Sequence, residues 1–278
     1  MNYQFIPGRR LFHLSVNTIL ILINVAMFIL LSILVSINPA LVNYFALNPS
    51  NILHGQYLWT FLTSMFSHVY FWHLAFNMIS LFFIGILIEK ILGPKRYLFF
   101  YIAAGLFAGI VFVLLAGFFG TSQWGASLFG SPNIAGLGAS GAIFGLVGLL
   151  AVITPKNRVS LIAGPLIAII LESVLSNFLS STIIGTIDLI VTFYVFLSLF
   201  AMFSTNKFLR RIVIPLNMPF WILPIVAIVP LVIIGLFVPL PIANSAHFGG
   251  LIFGLAYGLY LKYKFPKKTQ MISKIFSR

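Results

Sequence analysis

The chain has 278 residues, of which 61% are hydrophobic and only 7% are charged, whereas about 25% of the residues of a soluble domain carry charge. This composition excludes an ordinary soluble domain and predicts an integral membrane protein. The chain has no cysteine, so disulfides, thiol nucleophiles and thiolate metal sites are excluded. A net charge of +13 suggests nucleic-acid binding in a soluble protein, but the positions of the charges indicate another origin.

The first half of the chain alternates apolar runs with shorter polar stretches. The first run follows Arg9 and Arg10 and is too long for the hydrophobic part of a signal peptide, so we interpret it as a transmembrane helix. The predicted elements are a span over about 14–36, a less apolar stretch over 38–72, spans over about 73–92 and 98–118, an uncharged Gly/Ser loop over 119–136, and a fourth span that contains Ser140 and ends at 155–158.

Residues 161–204 are apolar again, and the charges decide how often they cross the membrane. With a cytoplasmic N-terminus, all 16 Lys and Arg residues fall on the cytoplasmic side, which is the positive-inside pattern. Arg158 and Lys207 flank this stretch on the same side, so it crosses an even number of times, and a crossing needs about 20 residues. We expect an inserted transmembrane hairpin with spans over about 161–179 and 183–204. A shallow re-entrant hairpin is the alternative.

Two further spans follow, one over about 219–236 and one that contains His247 and ends at Lys262, before a basic cytoplasmic tail over 263–278. The prediction is therefore an all-α polytopic protein with eight spans, formed by one membrane domain over 1–278. We expect it in the cell membrane with both termini in the cytoplasm. On this topology the positive charge indicates orientation and contact with membrane lipids, and not a nucleic-acid partner.

The hydroxyl of Ser140 lies among glycines at the start of the fourth span. Gly138 and Gly141 flank it and carry no side chain, so other backbone can approach the hydroxyl closely. Further glycines follow at helical spacing, which is typical of a helix that packs tightly against another. Taken alone, the segment is explained as a small-residue packing face with an incidental serine.

A second segment changes this interpretation. His247 opens the last predicted span, and Gly250, Gly254 and Gly258 repeat every four residues after it. The two segments therefore predict two helices that pack together, with a serine at the start of one and a histidine at the start of the other.

The second span adds polar side chains at the same predicted level of the membrane. His68 and His73 lie near its start, and Asn77 shares a helix face with His73. Polar groups inside a membrane are costly and usually mark function. An imidazole such as that of His247 can activate the hydroxyl of Ser140 as a nucleophile. Asn77, His73 and the Ser140 backbone N–H are donors of the kind that stabilises an oxyanion.

The three acidic residues do not complete a catalytic triad. Glu89 lies at the opposite end of the second span from the predicted site, and no acidic residue adjoins His247, so the pattern predicts a Ser–His dyad. Glu172 and Asp188 fall within the inserted hairpin. They either hold its two helices together by hydrogen bonds or act in gating or ion passage, and a carboxylate at that depth is costly when ionised.

Metal binding is the competing use of the histidines. His68 and His73 are five residues apart, which does not match the spacing of helical zinc sites, and no carboxylate lies nearby. We therefore expect neither a metal nor another cofactor.

Three segments of the chain are His68–Asn77, Gly138–Gly141 and Ala246–Gly250. Together they resemble, in order and spacing, the signature motifs of the rhomboid intramembrane serine proteases. The resemblance extends over most of the chain. It implies a rhomboid-like six-helix core, with the 161–204 hairpin inserted between the catalytic serine helix and the penultimate core helix. The span over 219–236 then borders the substrate gate, with a cap loop over 238–244, and the hairpin is a candidate neighbour of that gate.

The resemblance also implies roles for individual residues. Ser140 is the implied nucleophile and His247 the implied general base, with His73, Asn77 and Ser140 forming the oxyanion hole. The implied supporting residues are His68, Gly138, Gly141, Phe144, Gly250 and Gly254. Of these, Phe144 is expected to pack on the imidazole of His247. One departure is Thr60, which follows Trp59 where the family has arginine, and this affects an anchoring contact of the first loop.

The expected function is cleavage of transmembrane protein substrates near the non-cytoplasmic side. The first alternative is a non-catalytic rhomboid-like protein that binds membrane clients, although such relatives usually lack the serine or the histidine. The second is a transporter that uses Glu172 and Asp188, but no internal repeat supports it.

Overall fold

The computed structural model describes residues 14–176, 178–236 and 243–276. Arg9, Arg10 and most of the predicted cap loop lie outside these residues. Helices of the first half are α1 (Val16–Ile37), α2 (Pro49–Leu53), α3 (Thr60–Thr63), α4 (Phe71–Ser80), α5 (Ile86–Leu92), α6 (Pro94–Phe119) and α7 (Gln123–Phe129). The second half contains α8 (Ser140–Ile153), β1 (Arg158–Ile162), α9 (Ala163–Leu175), α10 (Ser181–Phe203), α11 (Lys207–Ile212), β2 (Pro215–Pro219), α12 (Leu223–Gly235), α13 (Asn244–Lys264) and α14 (Pro266–Phe276).

Within the described residues, four helices are long and apolar enough to cross a membrane by length and composition. They are Val16–Ile37, Phe71–Leu92, Pro94–Phe119 and Ser181–Ala201. The second of these joins α4 and α5 through a π-helical turn, Leu81–Gly85. Among the described helices, α8, α9 and α12 are apolar but shorter than the roughly 20 residues that a full crossing needs. The structure therefore supports a mainly helical membrane protein, and the count of eight spans stays a prediction.

Helix α8 packs against both α6 and α13, which also pack against each other. Its apolar side chains, including Leu146 and Leu150, are fully buried in the main core. The glycines of α8 bring its neighbours close, since a side chain at Gly145 would meet Ala104 of α6 at 2.6 Å. This packing positions the start of α8 next to the start of α13.

The ribbon of β1 and β2 was not predicted. The two strands pair antiparallel, with Arg158 opposite Pro219 at one end and Ile162 opposite Pro215 at the other. Helix α8 ends at Ile153, two residues before Pro155, because proline disfavours helical backbone in the residue that precedes it. The ribbon then connects α8 to the inserted hairpin and the hairpin to α12.

The inserted hairpin consists of α9 and α10, which pack against each other. The side chains of Glu172 and Asp188 lie close to each other between these helices. The hairpin reaches the core where the Phe196 ring lies 4.4 Å from the Trp72 ring of α4. Trp72 is the second residue of α4, whereas Phe196 lies in the last third of α10. The two helices are therefore offset or inclined relative to each other, and two full crossings by the hairpin remain an expectation.

Candidate active site

Ser140 is the first residue of α8 and follows a glycine loop that is fixed by backbone hydrogen bonds. Gly138 donates its N–H to the Ser64 carbonyl at 2.8 Å, and Gly136 and Leu47 exchange two hydrogen bonds. Gly138 has a φ of +127°, which favours glycine. A side chain at Gly138 would also meet the His73 imidazole at 2.7 Å. The loop therefore requires glycine two residues before the serine for both backbone and steric reasons.

His247 is held at the start of α13 by contacts on two sides. Its imidazole stacks on the Phe144 ring of α8, with ring centroids 4.3 Å apart and planes inclined by 13°. Two residues earlier, the Ser245 hydroxyl donates to the carbonyl oxygen of Phe129 in α7 at 2.7 Å. The side chain of His247 is buried. These contacts fix both the plane of the imidazole and the helix that carries it.

The side chains of Ser140 and His247 meet between α8 and α13. The distance from Ser140 Oγ to His247 Nε2 is 2.8 Å, which is a hydrogen-bond distance. With the serine hydroxyl as donor, Nε2 accepts, and the proton of the neutral imidazole lies on Nδ1. That Nδ1 is buried and has no hydrogen-bond partner among the described residues. The arrangement is a serine–histidine pair without an acidic third member in the described part of the chain.

Asn77, His68 and His73 form a second polar group near this pair. The Asn77 amide Nδ2 lies 3.0 Å from His68 Nε2 and 3.0 Å from the His73 carbonyl oxygen. The rings of His68 and His73 meet edge to face, with centroids 4.9 Å apart. Both N–H groups of Asn77 are thus engaged in this state. To donate to an oxyanion, Asn77 must exchange one of these hydrogen bonds for the new one.

His68 connects this polar group to the serine loop. Its Nε2 also accepts from the backbone N–H of Ala139 at 3.5 Å, the residue before Ser140. The side chain is completely buried. Burial lowers the pKa of His68 from 6.5 to about 3, and the neighbouring His73 contributes in the same direction. His68 is therefore neutral at physiological pH and acts as a hydrogen-bond acceptor.

We expect this buried histidine to make the stability of the protein depend on pH. In the folded protein His68 stays neutral down to about pH 3, whereas in the unfolded chain it binds a proton below about pH 6.5. The unfolded state then binds more protons, so the free energy of unfolding decreases as the pH falls from 6.5 towards 3. Replacing His68 by Gln keeps an acceptor but removes the titration.

Thermal unfolding in detergent measures this effect. The unfolding temperature of His68→Gln is expected to fall less steeply with decreasing pH than that of the wild type. Parallel curves for the two proteins over this range contradict the assignment.

Thr60, which stands where the family pattern has arginine, makes its own local hydrogen bond. The Thr60 hydroxyl donates to the Tyr57 carbonyl at 2.7 Å, and the Trp59 indole N–H donates to the Tyr44 carbonyl at 2.9 Å. The rings of Tyr44, Tyr57 and Trp59 pack edge to face. The first loop is thus anchored by threonine and aromatic contacts at the position where the family pattern has arginine.

Glu89 has a structural position away from the serine–histidine pair. Its two carboxylate oxygens accept the backbone N–H groups of Val16 and Asn17 at 2.8 and 3.0 Å, at the start of α1. The described residues contain no group of three or more His, Cys, Asp or Glu side chains that is arranged to hold a metal ion. The hydroxyl of Ser140 and the imidazole of His247 are groups of the kind that perform nucleophilic and acid–base chemistry.

Sequence reasoning missed two contacts that position the site. One is the hydrogen bond of Ser245, which ties the histidine helix to α7. The only signal in the sequence was a hydroxyl residue two positions before His247. The other is the contact of Phe196 with Trp72, directly beside His73. It joins residues far apart in the chain, and no local pattern predicts it.

A family model described as "Rhomboid domain" matches residues 55–192 and 190–264 of the chain. Among curated proteins, the chain is 34% identical over 140 residues to "Rhomboid protease GluP" of Bacillus subtilis, a match that covers 48% of this chain and 24% of that protein. It is 38% identical over 107 residues to "RHOMBOID-like protein 12, mitochondrial" of Arabidopsis thaliana, covering 37% and 31%.

A third relative is "Presenilin-associated rhomboid-like protein, mitochondrial" of Homo sapiens, with 31% identity over 132 residues that cover 47% of this chain and 31% of that protein. The matches thus span less than a third of the length of these three relatives.

Proposed function

We propose that this chain, which belongs to the rhomboid family and is a multi-pass membrane protein, is an intramembrane serine endopeptidase. It cleaves transmembrane segments of other membrane proteins near their non-cytoplasmic ends. Its location is the cell membrane, with both termini in the cytoplasm. The observation that carries the proposal is the 2.8 Å distance between Ser140 Oγ and His247 Nε2. A half-buried serine and a buried histidine brought together from separate helices in this way form an activated nucleophile.

The geometry supports a two-step acyl transfer. His247 Nε2 takes the proton of the Ser140 hydroxyl as Oγ forms a bond to the scissile carbonyl carbon. The same imidazole returns that proton to the leaving amine nitrogen as the C–N bond breaks. A water molecule then attacks the acyl-serine, losing a proton to His247, which passes it to Oγ as the ester bond breaks. Phe144 keeps the imidazole in one plane through both steps.

The length of α8 explains how the nucleophile reaches a bond inside the bilayer. Its 14 residues extend for about 21 Å, roughly 9 Å less than the hydrocarbon core. With its Ile153 end at the cytoplasmic interface, its Ser140 end lies below the opposite surface. The polar side chains of His68, His73 and Asn77 lie in the neighbouring helix and loop and provide a hydrophilic environment for water.

The substrate segment must unwind before it can be cleaved. A transmembrane helix protects its peptide carbonyls by internal hydrogen bonds, and breaking them in the bilayer is costly without new partners. Glycine and proline lower helix stability and ease local unwinding. We therefore propose that cleavage occurs at such helix-destabilising residues.

Asn77 has the role of an oxyanion donor in this proposal. Replacing Asn77 by Ala removes one donor, and the expected fall in kcat is about 10²- to 10³-fold, with a smaller change in KM, because the bond strengthens in the transition state. Cleavage of a reconstituted transmembrane substrate measures both constants. Asn133→Ala is the matched control, since Asn133 is exposed in the loop before Ser140. Equal rates for the two variants contradict this role.

The experiment that tests the proposal is covalent labelling by a fluorophosphonate. The purified wild-type protein is expected to react, and mass spectrometry is expected to find the adduct on Ser140. The Ser140→Ala variant, checked for cooperative thermal unfolding, is expected to remain unlabelled. An unlabelled wild type that also fails to cleave reconstituted substrates overturns the proposal and favours a non-catalytic client-binding protein.

A further inference from the structure

Helix α14 is fixed to the membrane bundle along one face. A single residue, Phe265, separates it from the end of α13. Its Thr269 is buried, and Ile272 packs against the main core of the bundle. α14 also contacts α8. It is therefore a docked helix whose opposite face points away from the protein.

That opposite face mixes lysines with exposed apolar side chains. Lys267, Met271 and Ile275 follow at intervals of four residues and share one stripe of the helix. Met271 and Ile275 are 57% and 60% exposed, and Lys268 lies beside the stripe. A soluble surface helix places polar residues here, whereas a helix at a membrane surface combines apolar side chains with lysines whose charged ends reach the headgroups.

The end of α13 has the composition of a membrane–water boundary. Lys264 Nζ lies 2.8 Å from the Tyr260 hydroxyl and 5.3 Å from the centre of its ring. The same Nζ lies 5.7 Å from the centre of the Phe265 ring, and Tyr263 is 90% exposed. Tyrosines and lysines concentrate at the boundary between lipid and water. α14 therefore starts at the level where α13 leaves the bilayer.

Lys267 and Lys268 lie in a part of the sequence that has an excess of positive charge. The protein has 16 Lys and Arg residues against three Asp and Glu residues, and no Asp or Glu follows Asp188. Of these acids, Glu89 uses both oxygens for backbone N–H groups of α1. The lysines of α13 and α14 thus form a local excess of positive charge, and anionic groups complement it.

We propose that the outer face of α14 binds the anionic headgroups of phospholipids in the leaflet where α13 ends. Lys267 and Lys268 contact the phosphates, while Met271 and Ile275 insert between the headgroups. The exposed apolar pair distinguishes this partner from a nucleic acid or an acidic peptide in solution, because neither covers apolar side chains at the level of the bilayer surface. Since α14 packs on α8, this lipid contact also stabilises the position of the helix that carries Ser140.

The absence of cysteine makes a direct test simple. Met271→Cys carries a unique thiol, which is labelled with bimane in a Ser140→Ala background, so that the result does not depend on proteolysis. The labelled protein is placed in nanodiscs of phosphatidylcholine with increasing fractions of phosphatidylglycerol. In one series the acyl chains of both lipids are brominated, and in the reference series neither lipid is brominated. Bromine quenching of bimane is expected to increase with the phosphatidylglycerol fraction and to decrease in high salt.

Two double variants complete the test. Lys267→Gln with Lys268→Gln is expected to weaken the preference for phosphatidylglycerol by roughly fivefold for each lysine. Lys156→Gln with Arg158→Gln removes the same charge from exposed residues outside α14 and is expected to weaken the preference measured at residue 271 less than the α14 double variant does. Equal quenching in neutral and anionic nanodiscs, or equal effects of the two double variants, overturns the proposal.

Discussion

Replacing His247 by Ala is expected to lower the rate of substrate cleavage by roughly 10⁴-fold or more, the magnitude found when a serine hydrolase loses its general base. The hydroxyl of Ser140 then keeps its proton, because His247 Nε2 is its hydrogen-bond partner in the structure. KM is expected to change little, since the imidazole acts on the nucleophile and the leaving group. Single-turnover cleavage of a reconstituted transmembrane substrate measures the loss.

A matched histidine substitution separates catalysis from the general loss of an imidazole. His54 is exposed, and its Nδ1 lies 2.7 Å from the Ser50 carbonyl oxygen in the first loop. His54→Ala is expected to retain the wild-type rate. If His247→Ala keeps more than about a tenth of the activity in a folded sample, another group must act as the base, and the dyad assignment fails.

The serine–histidine pair shows what the sequence alone can predict. Ser140 and His247 are far apart in the chain, yet each opens a helix whose glycines repeat at helical spacing. Two such helices can approach closely along their glycine faces, and the predicted topology puts both helix starts on the same side of the membrane, so the side chains there are expected to lie near each other. The structure places these two residues together by that packing. Because the rule depends on local spacing, no alignment of relatives is needed to apply it.

The inserted hairpin shows where such reasoning stops. Apolar composition and flanking charges predict two helices between Arg158 and Lys207, and the structure has α9 and α10 there. Apolar composition and flanking charges do not indicate how deep the two helices lie in the membrane or which helices they contact. Both depend on side chains far apart in the chain, such as Trp72 and Phe196. The ribbon of β1 and β2 was missed for a similar reason, since its strands lie on either side of the hairpin and their pairing joins residues far apart in the chain.

Replacing Gly250 by Ala is expected both to destabilise the fold and to inactivate the protein. A methyl group at Gly250 would overlap the carbonyl oxygen of Gly141 and would lie 2.9 Å from its carbonyl carbon. These are backbone atoms of α8 that cannot rotate away, so α8 and α13 must separate. Overpacking of this kind costs about 1–3 kcal/mol of stability, and a misplacement of about 1 Å between reacting groups costs roughly 10²-fold in rate.

Gly185 of α10 provides the matched control, because a methyl group there would meet no atom within 4 Å. Gly185→Ala is expected to keep full activity and an equal or higher unfolding temperature, since alanine favours the helix more than glycine. Fluorophosphonate labelling of Ser140 and thermal unfolding are measured on both variants. A Gly250→Ala protein that labels like the wild type would show that α8 and α13 tolerate a wider separation. The close glycine contact would then serve helix packing alone, and the position of His247 beside Ser140 would depend on the Phe144 stacking and the Ser245 hydrogen bond instead.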